Sequence, residues 1–196
     1  MKRTQATRDT RTEILDAAQS IIQTHGANGI SYQHISDLVK IRKASIHYHF
    51  PTKDKLIEEL VRRYSRDFLD LVDQILHAPT SAPTKLKRYI DLFEKTLADK
   101  SGMKVCLCGI LGAELASLGN PAVRLLRRFY WDNVDRLARI LEAGRAAGAL
   151  KFAGDGKTLG TLIFSLLEGA MILARADGGV NQFRALKNQL LKLLSA

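Results

Sequence analysis

From Ile14 to Leu194 apolar residues recur at three- and four-residue spacings, and no stretch shows the two-residue alternation of a strand. That periodicity restricts the chain to helices, each burying one stripe. Glycines, prolines and capping residues cut it into nine. Thr10-Arg11-Thr12-Glu13 has capping-box spacing and opens helix 1, whose stripe of Ile14, Leu15, Ala17, Ala18, Ile21 and Ile22 stops at Gly26. Ser31 caps helix 2, with Ile35, Leu38 and Val39 inward; helix 3 spans about Lys43 to His49 and packs through Ala44, Ile46 and Phe50. Helix 4, about Lys53 to Leu76, carries a long stripe that includes Leu56, Leu60, Tyr64, Phe68, Leu71 and Val72. After a Pro-rich linker, residues 77–83, helix 5 turns Leu86, Ile90, Phe93 and Leu97 inward and ends at Ser101-Gly102.

Helix 6, about Lys104 to Leu118, is apolar over most of its circumference and is expected at the centre. Gly119-Asn120-Pro121 marks the next start, with Asn120 as N-cap and Pro121 first in helix 7, which runs to about Ala147. Helix 8, about Lys157 to Ala176, is again apolar nearly all round and ends at Gly178-Gly179. Helix 9 carries Phe183, Leu186, Leu190, Leu193 and Leu194. The expected fold is all-α, nine helices in two domains.

Composition narrows the function. With 46% hydrophobic residues in 196, the chain can bury a substantial core. A net charge of +10 attracts a polyanion or an anionic membrane surface. The excess is spread out: residues 1–68 hold 12 basic and 8 acidic side chains, the remainder 18 and 12. Residues 1–9 read as a mobile basic arm rather than a secretory leader. The most apolar segment, Leu159 to Ala174, is interrupted by Thr161, Ser165 and Glu168 and falls short of the ~20 residues that span a bilayer. Two cysteines, Cys106 and Cys108, form no disulfide framework, which fits a reducing cytoplasm. The five histidines lack metal-ligand spacing, and no Gly-rich phosphate loop or paired-carboxylate pattern occurs. Neither metal nor cofactor is expected, nor enzymatic activity.

The functional signal lies between Ser31 and Lys55. Two short helices joined by a tight turn, stopped at Pro51, form a helix-turn-helix over residues 31–50, whose second helix suits a major groove about 12 Å wide. The run Lys43-Ala44-Ser45-Ile46-His47-Tyr48-His49-Phe50, followed by Thr52-Lys53-Asp54 and preceded by Ser31, Ile35 and the Gly26 stop, resembles the DNA-binding domain of the TetR family of repressors over about residues 8–68.

That resemblance implies a homodimer binding double-stranded operator DNA, with residues 69–196 as an effector-binding and dimerisation domain. By position it implies that Lys43, Ala44, Ser45, His47, Tyr48 and His49 face bases and phosphates and that Lys53 meets the backbone. The chemistry agrees: Lys and Tyr suit phosphate oxygens, Ser and His can reach base edges, and Ala44 suits a thymine methyl. The chain departs from the family pattern at three places. Lys40 stands where the turn usually has Gly, a strain of ~1–2 kcal/mol if φ is positive. Arg42 replaces a capping Ser or Thr worth ~1 kcal/mol, adding a cation near the groove. His47 replaces a frequent tyrosine.

In the second domain the resemblance implies a four-helix dimer contact through helices 8 and 9; alternatively helix 8 is simply a core helix. Cys106 has two readings. One is a sensing thiol, favoured as thiolate in the first turn of helix 6 beside Lys104, in a neighbourhood similar to electrophile-sensing family members. The other is a small buried hydrophobe. Glu114, Glu168 and Arg175 are charges in apolar helices that either line an effector pocket, pair with each other, or are exposed. The leading function is a repressor released by a small-molecule or thiol-reactive effector, with helix 4 as the lever between the domains. The competing readings are a Cys106-dependent enzyme and a basic membrane-surface helical protein.

Overall fold

The computed structural model describes residues 9–99, 104–176 and 179–195. The expected basic arm lies outside these residues apart from Asp9, as do the Ser101-Gly102 stop and Gly178. The described residues form nine α-helices: α1 Thr10–His25, α2 Tyr32–Val39, α3 Lys43–His49, α4 Lys53–His77, α5 Ala82–Leu97, α6 Leu107–Ala113, α7 Asn120–Ala146, α8 Gly156–Ala176 and α9 Val180–Leu194. A single 3-10 turn, Leu115–Ser117, follows α6, and an isolated antiparallel bridge joins Leu150 to Ser195.

The first three helices pack Ile14, Ile22, Ile35, Ile46 and Phe50 against the first half of α4, where Leu56, Leu60 and Val61 are fully buried. The same helix continues into the second body. There Phe68 meets Phe93 of α5 and Phe129 of α7 edge to face, with centroids 5.7 and 5.6 Å apart, and Phe129 reaches Phe164 of α8 at 6.3 Å. Such pairs add about 0.5–1.5 kcal/mol beyond the area they bury. One helix thus belongs to both cores, so a change in its tilt is felt by both.

Several boundaries differ from those expected. Helix 1 is capped by Asp9, whose carboxylate accepts from the Arg11 backbone N–H at 3.4 Å, so Thr10 is helical rather than capping. Helix 7 is capped by Gly119, with Asn120 in its first turn. Helix 6 is half the expected length, giving way to the Leu115–Ser117 3-10 turn at its end and losing its first stretch to α1. Val105 N–H donates to the Gln23 carbonyl (3.2 Å) while Gln23 Nε2 donates to the Val105 carbonyl (2.9 Å), holding Val105 against α1. Leu38, Leu71 and Leu193 are exposed rather than inward. Leu38 shows why: a hundred degrees per residue puts Val39, not Leu38, closer to the side of Ile35, the one buried residue of α2. Ala44 is likewise exposed, on the outer face of α3.

Candidate nucleic-acid interface and a buried carboxylate

The turn between α2 and α3 is built on a strained residue. Lys40 has φ 61° and ψ 39°, the one non-glycine residue with positive φ among the described residues. The conformation is held from both sides: the Lys40 and Ile41 N–H groups both donate to the Ser36 carbonyl, at 2.9 and 3.3 Å, and Ser36 Oγ donates to the Ile41 carbonyl at 2.6 Å. Ser31 caps α2, its Oγ accepting from His34 N–H at 3.2 Å; Arg42 provides no side-chain cap for α3. The Tyr32 hydroxyl donates to the Phe50 carbonyl at 2.6 Å and its ring meets His47 edge-on at 4.7 Å. These contacts fix the end of α3 to the start of α2.

Held so, α3 turns Ile46 into the core and presents Arg42, Lys43, Ala44, His47 and Tyr48 to solvent, with Ser45 and His49 half-buried beside them. Tyr48 projects furthest, 83% exposed, and carries no buried contact that would explain an aromatic there. Lys53 is also exposed, in the first turn of α4, which Thr52 caps through Lys55 N–H at 3.2 Å. A hollow of about 390 Å³ lies between these helix starts, lined by Ser31, Gln33, Lys43, His47, Thr52 and Lys53 among others. Two helix N-termini converge on it, each with free backbone N–H groups and partial positive charge, an arrangement suited to a phosphate. Gln33 also lines this hollow, a residue that the sequence pattern did not single out, and Thr52 lines it from the cap of α4.

The four candidate effector residues do not form one cluster. Glu168 lies on α8 beside a second cavity, about 490 Å³, between α6, α7 and α8, walled by Tyr130, Trp131, Val134 and Phe164. As a residue Glu168 is half-buried, but its Oε1 is sealed from solvent with no hydrogen-bond partner. Burial pushes its carboxyl up to about 7, opposed by a hydrogen bond with the Cys106 thiol. Two glycines of α6 make the room. A Cβ on Gly109 would come within 2.0 Å of Glu168 Oε2, and one on Gly112 within 2.1 Å of the Tyr130 hydroxyl, which donates to the Cys108 carbonyl at 2.7 Å.

Cys106 is buried under this carboxylate, with the Tyr64 hydroxyl 3.6 Å from its sulfur. The expectation that the start of helix 6 favours a thiolate is reversed. Burial first, then the Glu168 charge, push the thiol well above its ordinary range, and Cys106 precedes α6 rather than lying in its first turn. Lys104 points elsewhere, 3.4 Å from Asp99.

Sequence comparison matches residues 14–60 to the model of the bacterial regulatory proteins of the tetR family. A transcriptional regulator of that family from Agrobacterium tumefaciens is 31% identical, and its solved structure superposes with a TM-score of 0.90 over 95% of this chain and 97% of that one. The chain belongs to the TetR family. The HTH-type transcriptional repressor KstR2 of Mycolicibacterium smegmatis is 32% identical over 80 residues, 39% of this chain and 37% of that protein. The nucleoid occlusion factor SlmA of Vibrio atlanticus is 23% identical over 175 residues, 88% and 83% of the two chains.

In this TetR-family regulator Glu114 and Arg175 sit at the junction of the two bodies, away from Glu168. Glu114 Oε2 accepts from the Ala27 backbone N–H at 2.6 Å, just past the end of α1, and Arg175 donates to the Thr24 carbonyl in the last turn of α1. Gly26, φ 78°, leaves space for the carboxylate, since a Cβ there would come within 2.2 Å of Glu114 Oε1. The outer side of α8 is the remaining feature. Leu162, Leu166 and Leu173 are 65, 40 and 57% exposed, and Gly169, on the same side, has open space above it. Their spacings of four, three and four residues trace a continuous stripe, beside which α9 exposes Leu193.

Proposed function

We propose that this regulator is a homodimeric repressor that reads operator DNA with α3, is joined through α8 and α9, and leaves DNA when a small molecule occupies the second domain. The observation that carries the reading is the outer face of α3: Lys43, Ala44, His47 and Tyr48 are all exposed, His47 steadied by the Tyr32 ring, and the row is flanked by the helix starts at Ser31 and Lys53. Arg42, Lys43, Tyr48 and Lys53 are assigned to phosphates, and Ala44, Ser45, His47 and His49 to base edges. A single seven-residue helix reads few base pairs, and two-fold pairing of such helices on half-sites supplies the missing specificity. The exposed leucine stripe of α8 supports such pairing, being larger than scattered surface leucines and continuous along about three turns.

Release requires an effector that binds the DNA-incompetent arrangement better than the competent one. The second domain offers the cavity beside Glu168, and two routes lead from it to α1–α3: the shared helix α4, and the contacts of α6 and α8 with the end of α1. The Cys106-dependent enzyme loses its support, because a buried thiol with its proton held tightly is a poor nucleophile.

Footprinting on the DNA flanking the gene tests the reading. Paired half-sites are expected, with affinity falling on the order of a thousandfold between about 50 and 200 mM salt for six or more phosphate contacts. Tyr48→Ala and Lys53→Ala should each weaken binding without changing the fold. Salt-independent binding, or full binding by both variants, would sink it.

A further inference from the structure

We propose that the cavity between α6, α7 and α8 takes an amphipathic organic amine, its ammonium paired with the Glu168 carboxylate that lines the cavity and its hydrocarbon body against Tyr130, Trp131 and Phe164. This rests on the effector reading above but names the chemistry of the ligand. An acid oxygen sealed from water with no partner among the described residues is a costly thing to keep in a core. Its neighbours do not supply the missing charge. Tyr64 from α4, Tyr89 from α5, Cys106 and Cys108 from the start of α6 and Tyr130 from α7 all feel the Glu168 charge, and each is held neutral by burial. Among the described residues no cation faces the carboxylate from any of these helices.

The cations stand at the rim instead. Arg127 is exposed where α7 borders the opening, and Lys157 Nζ sits 5.5 Å over the ring of Trp131. Lys157 also pairs with Asp135 at 3.2 Å, which leaves Arg127 as the like charge that a ligand with its ammonium at the outer end would meet, so the ammonium leads inward. The walls suit the hydrocarbon behind it, being apolar, with aromatic faces that also favour a cation passing over them. A cavity of about 490 Å³ lies within the range of small-molecule sites. The α6 glycines bear on the same point, because any side chain at Gly109 would occupy the space over the carboxylate.

Binding balances in protons. Where Glu168 is protonated, the amine enters as ammonium, the carboxyl gives its proton to solvent, and one proton is released per ligand bound. Affinity therefore rises with pH up to the carboxyl's own midpoint near 7 and is flat above it. A neutral donor such as an alcohol releases no proton and shows no such rise.

Trp131 is the single tryptophan of the chain and stands at the mouth, 56% exposed, so intrinsic fluorescence excited at its red edge reports occupancy of this cavity alone. The probes are 4-phenylbutylamine and its near-isostere 4-phenylbutan-1-ol, titrated into the full-length wild-type protein across the pH range on either side of neutrality. The amine is expected to bind at least about tenfold tighter than the alcohol at mildly alkaline pH, and to lose roughly tenfold in affinity per pH unit well below 7. Glu168→Gln should bind both probes alike with no pH dependence. Equal binding of the two probes by wild type, no binding of either at millimolar concentration, or an amine preference that survives in E168Q each overturns the proposal. The wild-type pH profile needs no variant, so it stands even where E168Q folds poorly. DNA binding measured on the same samples separates the two readings. Amine bound as expected with the operator complex untouched keeps this site and refutes the effector role; operator release with no Trp131 response keeps the effector role and refutes this site.

Discussion

Glu168 makes a prediction about stability that needs no ligand at all. A carboxyl whose midpoint is raised from its ordinary 4.5 to about 7 in the folded chain binds a proton more tightly there than when unfolded. Between those values the unfolded state has released the proton and the folded state has not, so raising the pH draws the equilibrium toward unfolding. The stability that the protonated acid lends is whole below about pH 4.5, is lost progressively as pH rises, and is gone above about 7. The gap corresponds to about 3 kcal/mol in full, of which about 2.5 kcal/mol falls between pH 5 and 8. Other groups titrate over the same range, so the quantity to measure is the difference between Glu168→Gln and wild type. Thermal melts at pH 5 and pH 8, at one fixed protein concentration, should show E168Q gaining on wild type by roughly 5–10 °C between the two, given about 2–4 °C per kcal/mol for a chain of this size. Whatever the amide itself costs cancels in that comparison. A constant offset across the pH range would show that the carboxylate is solvated or paired, and would remove the physical basis for a ligand-seeking acid here.

Lys40→Gly should relieve about 1–2 kcal/mol of left-handed strain and give back about 0.5–1 kcal/mol in unfolded-state freedom, a net gain of about 0–1.5 kcal/mol that leaves the melting temperature no lower and raises it by up to roughly 6 °C; a lower value in a melt would mean the turn is not strained. Leu166→Glu with Leu173→Glu, both exposed in the protomer, should leave helicity intact and yield a monomer by light scattering at micromolar concentration; a stable dimer would place the interface elsewhere. Glu114→Ala strands the Ala27 N–H and should cost about 1.5–3 kcal/mol, with amide exchange at Ala27 accelerating at least as much as at its neighbours; a protected Ala27 amide would show the contact to be incidental.

Much of this was legible because the periodic signal is local. Helix 4 and the Ser31 cap follow from side chains within a turn of one another, and the possibility of a positive φ at Lys40 comes from the resemblance, which has Gly at that place in the turn. The illegible features depend on partners far along the chain. Helix 6 starts late because Val105 bonds to Gln23, 82 positions away, and no local pattern announces that. Cys106 reads as set for a thiolate by an expected place in the first turn of helix 6, yet the deciding influence is burial beneath Glu168 on another helix. The exposed leucines of α8 look identical in sequence to its buried ones. Glu114, Glu168 and Arg175 were recognisable as charges out of place; which of them faces a cavity and which holds α1 is a matter of tertiary packing alone.

The division of labour among those three residues bears on how an occupied cavity would reach the DNA face. Helix α6 carries both ends of the connection: Gly109 and Gly112 touch the Glu168 carboxylate and the Tyr130 hydroxyl, and Glu114, at its C-terminal end, holds the Ala27 N–H. At ~1.5 Å rise per residue these points lie only about 3–8 Å apart along one short, stiff rod. A ligand that draws Glu168 or Tyr130 toward itself unloads the glycine side of the rod and lets it move as a unit. Since a charged hydrogen bond of 2.6 Å is lost once its atoms part by about 1 Å, a small displacement releases an interaction of about 1.5–3 kcal/mol, enough to shift a two-state equilibrium by roughly ten- to a hundredfold. Helix α4 cannot act as finely, because it is anchored in both cores along its length and must tilt as a whole. In the proposed release, the long helix would set which arrangements of α1–α3 are possible, and the short one would choose between them.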